Sequence, residues 1–134
     1  MSAEQGTGAT IQPKEPLARF IFSSSHFSRE NERVKHNAFL PAADGKTSVY
    51  RTKELSETEK WAIGDEVAEK RRQILHARGD IVAADVSKAK VRVAPSEPPP
   101  RHANIESWPA EKSAQKLIAI DLADAAKLIM KPEQ

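Results

Sequence analysis

The sequence predicts an α+β domain, in which a small, mostly antiparallel sheet carries two long amphipathic helices packed on one face. Three observations point to it. Ser56 and Glu59 form a capping box ahead of an apolar stripe, a second aliphatic stripe runs from Ala110 to Met130, and short β-compatible runs precede and separate the two.

The first such run is LARFIF, where Leu17, Phe20, Ile21 and Phe22 stand before the stop SSS. It reads as the first strand and suits a central position. The polar stretch HFSRENERVKHN follows as a long loop, and AFLP as a short extended segment closed by Pro41. Asp44-Gly45 is a turn pair, since glycine takes a positive φ without a Cβ clash, and TSVYRT then supplies branched and aromatic residues. The two segments read as a hairpin.

From the Ser56 cap, helical spacing gathers Trp61, Ile63, Gly64, Val67, Ala68, Ile74 and Leu75 on one face, with Arg71 intruding at its middle. Asp65, Glu66, Glu69, Lys70, Gln73 and His76 fall opposite, and Gly79 reads as the stop. DIVAADVSKAK is open to a short helix or a strand, with Ala83 to Lys88 favouring one or two helical turns, KVRVA reads as a strand through Val91 and Val93, and SEPPPR as an exposed polyproline link whose prolines cannot donate to a sheet. In the last helix Ala114, Ile118, Leu122, Ala125 and Ile129 form the stripe, Leu117 and Leu128 widen it, and Pro132 ends it.

Composition limits the alternatives. A chain of 134 residues supports one core; residues 1–16, poor in large aliphatics, read as a disordered tail, and 17–132 as a single domain. Twenty-one basic against nineteen acidic residues give a net charge of +2, too little for a general field aimed at nucleic acid or an anionic membrane. With no cysteine there is no thiolate nucleophile and no cysteine-type zinc site. The start lacks a basic, apolar leader and no segment reaches the ~18 apolar residues of a membrane span, so a cytoplasmic protein without membrane contact is expected.

The four histidines, His26, His36, His76 and His102, have none of the i, i+3 or i, i+4 spacings of helical metal sites, and neither a metal nor a cofactor is expected. His26 follows Ser25 just past the first strand, but adjacency in sequence does not make a nucleophile, base and orienting group converge. The candidate binding residues are His26, Arg33, His36, Tyr50, Arg51, Arg101 and His102, a set of forks and donors suited to phosphate, among which Glu30, Glu32, Glu54 and Glu106 dilute the field. PPPRH suits either a rigid connector or a ligand for an aromatic groove. Trp61 reads as core, and Trp108 as core or partner anchor equally.

RVKHNAFLP, GKTSVYRT, LSETEKW and PPPRHANIESWP resemble segments of small bacterial proteins of unassigned function, over residues 17 to 132. The resemblance implies no activity and transfers no site residue.

Two functions follow as expectations. The first is a non-enzymatic accessory or protein-binding module that presents residues 26–51 and the 95–102 proline link to a protein partner. The second is a metal-independent enzyme or binder acting on a phosphate ester, nucleotide or nucleic acid, which requires histidines and arginines to converge.

Overall fold

The computed structural model describes residues 10–132. Among them are eight strands and three α-helices: β1 Pro16–Ile21, β2 Phe27–Ser28, β3 Arg33–Val34, β4 Thr47–Arg51, α1 Glu57–Arg71, β5 Ala77–Val82, α2 Ala83–Lys88, β6 Arg92–Pro95, β7 His102–Glu106, α3 Lys112–Ala125 and β8 Lys127–Met130. Six strands make one antiparallel sheet in the order β6-β7-β4-β1-β5-β8, while β2 and β3 form a separate ribbon. The α+β class and the antiparallel sheet agree with the sequence reading.

The helices, however, lie on opposite faces of the sheet. Alternation along β1 sends Leu17 and Ile21 into a cluster with Ala119, Leu122 and Ala123 of α3, and Ala18 and Phe20 into a second cluster with Trp61 and Ala68 of α1. The central strand is therefore apolar on both sides, which is why LARFIF reads as a nearly continuous apolar run. Gly64 lets α1 come close: a Cβ there would stand 2.7 Å from Leu75 and 2.8 Å from the Phe20 ring.

The expected hairpin of AFLP with TSVYR does not form. β7 pairs with Thr47 to Tyr50 along one edge of β4, and on the other edge β1 pairs with Tyr50 and Arg51 and then parts from it. Residues 36–38 instead make a 3₁₀ turn that drives Phe39 fully into the core, where its carbonyl accepts from Thr47 Oγ1 at 2.8 Å. The Asp44-Gly45 turn is as expected, with Gly45 at φ 79° and Asp44 accepting from the Lys46 amide.

The capping box at Ser56 is complete in both directions. The helix stops earlier than the stripe suggests, because Arg72 turns into the left-handed region at φ 56° and the chain reverses to give β1 a second neighbour. Ile74 is left 72% exposed, and Gly79 sits within β5. The last helix is also shorter than expected. At Ala126 the backbone becomes extended, and KLIM pairs with the outer edge of β5. Leu117 is 66% exposed and Ala125 is also exposed, so the buried stripe is Ala119, Leu122 and Ala123.

Order begins before Leu17. Ile11 packs on the larger core, Glu15 is buried, and the carbonyls of Pro13 and Glu15 accept from the start of α2. Of the tail assigned to residues 1–16, residues 11–16 are thus ordered, Thr10 is exposed, and 1–9 lie outside the described residues. The 96–101 segment is a closed turn instead of an extended link: the Ser96 amide donates to His102, and Glu97 accepts from the Arg101 amide at 2.8 Å. Trp61 is core, and Trp108 packs on the larger cluster with Nε1 donating to the Ile105 carbonyl. Among the described residues no helix is long and apolar enough to cross a membrane.

Candidate anion-binding cleft

Helix α1 packs on Ala18, Phe20 and Tyr50. The β4–β7 register pairs Tyr50 with His102 and Ser48 with Asn104, so these four side chains share that face beside the helix. Two adjoining cavities open there. One, of about 430 Å³, is bounded by Tyr50, Val67, Lys70, Pro100 and Arg101. The other, of about 670 Å³, is bounded by Arg19, His26, Asn37, Lys46 and Asn104. Ser48, Arg71 and His102 line both, forming a shared wall.

Charge in the cleft is unbalanced. Outside the cleft Arg33, Arg51, Lys60, Arg78, Arg92 and Lys131 are each paired with a carboxylate, while Arg29, Lys53, Arg72 and others have no such partner among the described residues. Among the described residues Arg19, Lys70, Arg71 and Arg101 have no carboxylate within the 4.0 Å of an ion pair. Only Glu66 in the first cavity and Asp44 in the second supply negative charge to the walls. Burial, followed by the charge of Arg71, lowers the Arg19 pKa to about 10. Partly buried and beside a second cation, this guanidinium is stabilised by an incoming anion.

The neutral groups are held in place. His102 Nδ1 lies 2.8 Å from the Ser96 carbonyl, which can only accept, so Nδ1 carries the proton; Nε2 lies 2.7 Å from Ser48 Oγ. The Tyr50 ring meets the imidazole edge-on at 5.2 Å, and burial raises the Tyr50 hydroxyl above its usual pKa. Arg71 is steadied by the Phe22 ring, 5.2 Å from its guanidinium carbon. Arg101, at φ 70°, donates to the carbonyls of Arg51 and Lys53 and so ties the proline turn to the end of β4. Burial, and then the charge of Arg19, depresses His26, which favours its neutral form.

Of the residues singled out from sequence, the fold brings Tyr50, Arg101 and His102 together and adds His26 from the second cavity. It separates the other three. Arg33 and His36 line a depression of about 420 Å³ against α3, where Arg33 pairs with Asp124 at 3.1 Å. Arg51 is paired with the buried carboxylate of Glu15 and lines neither cavity of the cleft. Sequence reasoning missed Arg19, Ser48, Lys70 and Asn104 as site residues. Two signals were available: a lone charge inside an apolar strand at Arg19, and the period of two that puts Ser48 beside Tyr50. Among the described residues no group of three His, Asp or Glu side chains is placed to hold a metal ion.

Compared with protein families, with characterised proteins and with solved structures, the chain matches none. The reading of its function rests on the cleft alone.

Proposed function

We propose that this chain is a binding module for small molecules bearing phosphate groups, with the cleft between α1 and the β4–β7 face as its site. One observation carries the reading: Arg19 and Arg71 wall the same cavity and neither has a carboxylate partner among the described residues. The guanidinium groups suit phosphate oxygens, and Lys70 adds a further donor beside them. Tyr50, Ile63, Val67 and Pro100 give the smaller cavity an apolar side, suited to the organic part of the ligand.

This reading deepens the second of the two expectations. The protein-partner expectation used residues 26–51, in which the expected hairpin does not form, together with the 95–102 link, whose Pro99, Pro100, Arg101 and His102 line the cleft. Calorimetric titration with pyrophosphate and with a nucleoside monophosphate tests the proposal. Charge-assisted hydrogen bonds contribute about 1.5–3 kcal/mol each, so Arg71→Ala is expected to weaken binding roughly 10- to 100-fold, and added salt to weaken it further. Equal affinity in wild type and Arg71→Ala, or no binding of either compound, contradicts the reading.

A further inference from the structure

We propose that Ser48 is a nucleophile activated by His102, and that the pair cleaves carboxylic esters whose acid or alcohol part carries an anionic group. The choice of substrate rests on the anion-binding reading; the nucleophile rests on the geometry around His102.

Three parts are in line. The Ser96 carbonyl accepts the Nδ1 proton at 2.8 Å and fixes the tautomer, so the neutral ring presents its lone pair at Nε2. Ser48 Oγ, 2.7 Å from Nε2, is then the donor of that bond and keeps its own lone pairs for attack. This is the nucleophile, base and orienter arrangement of serine hydrolases, with a backbone carbonyl where a carboxylate is more usual. Ser48 and His102, 54 residues apart in sequence, are brought to one face by the β4–β7 register, and Ser96 comes from the turn before β7. Tyr50 packs edge-on against the imidazole and restrains its plane.

The surroundings suit an ester. Ser48 and His102 line both cavities, so the two halves of a substrate can occupy one each. Arg71 shares that wall, and Asn104 lies opposite Ser48 in the β4–β7 register and opens on the larger cavity; both bear N–H donors for a developing oxyanion.

Ser48 Oγ adds to the ester carbonyl carbon while its proton passes to His102 Nε2, and the carbonyl π pair becomes the oxyanion. Collapse of that intermediate breaks the bond to the alcohol oxygen, which leaves with the proton from Nε2. Water then adds to the acyl carbon, gives a proton to Nε2, and the second collapse returns that proton to Ser48 Oγ. One ester and one water become one acid and one alcohol, with no oxidant or reductant.

The test is reaction of the full chain with a fluorophosphonate, read by mass spectrometry of the digest. The expected result is one adduct, on Ser48, absent in Ser48→Ala and formed about 100-fold more slowly in His102→Gln, whose side chain still forms hydrogen bonds but cannot take the proton. Labelling of Ser48 no faster than of the exposed Ser24, or an unchanged rate in His102→Gln, overturns the proposal. Pyrophosphate binding by the same wild-type sample separates the two readings. Binding without labelling overturns the nucleophile alone, whereas labelling without binding supports the nucleophile and overturns the anionic substrate.

Discussion

Arg19 reaches across the point where two strands part and donates through Nη1 to the carbonyl of Ser48 at 2.8 Å. The β1–β4 ladder holds only Leu17↔Arg51 and Ala18↔Tyr50, and beyond that pair the guanidinium supplies a donor that backbone amides do not, with Nε bonded to the Ala38 carbonyl at 2.7 Å. One side chain thus joins strand, loop and cleft.

Replacing Arg19 by Met keeps much of the length and removes the donors. Two partly buried carbonyls lose their partner, which is expected to cost about 2 kcal/mol of stability. Chemical denaturation reads the loss, and a variant as stable as wild type would show that water replaces the guanidinium there.

Gly64 tests the contact between α1 and the sheet. In an exposed helix interior Gly→Ala stabilises, but here the new Cβ lies 2.7 Å from Leu75 and 2.8 Å from Phe20, and both neighbours are buried. Gly64→Ala is expected to destabilise by about 1–3 kcal/mol through overpacking. A rise in melting temperature would mean that the helix can move away without loss.

Arg78 provides a pH-dependent test. Its buried guanidinium lies 4.7 Å from the Trp61 ring centroid and bonds Glu57 and Asp80. The hydrogen bond from Arg78 is the largest cause holding the Glu57 carboxyl below its usual 4.5. A carboxyl depressed on folding stabilises fully above its unfolded value and loses that contribution as the pH falls through the lower, folded one. Wild type should therefore lose stability on acidification below pH 4.5 more steeply than Glu57→Gln, which has no proton to take up there. Glu57 is mostly exposed, so the difference is small; parallel acid limbs in a series of denaturation curves would refute the linkage.

What the sequence made legible is what local chemistry decides. The Ser56 and Glu59 cap, the Asp44-Gly45 turn and the helix-then-strand reading of residues 83–95 depend on neighbours within a few positions, and all three are present. The two misplaced helix ends share one cause. Ile74, Leu75, Leu128, Ile129 and Met130 extend a helical stripe in sequence, yet the free edges of β1 and β5 recruit the adjoining segments as strands, an outcome that periodicity does not contain. The same holds for the cleft. Tyr50, Arg101 and His102 were identifiable as residue types, whereas the signals at Arg19 and Ser48 point to a shared site only once the β4–β7 register and the opening between β1 and β4 are known. Arg71 stood out as a charge on an apolar face, and that face turns out to border the cavities.

The most direct measurement is an amide and side-chain NMR titration of the full chain with pyrophosphate. The account predicts shifts centred on Arg19, Ser48, Tyr50, Arg71, Arg101 and His102, the walls of the two adjoining cavities. Shifts centred instead on Arg33 and His36 in the depression beside α3, or none at saturating pyrophosphate, would contradict it.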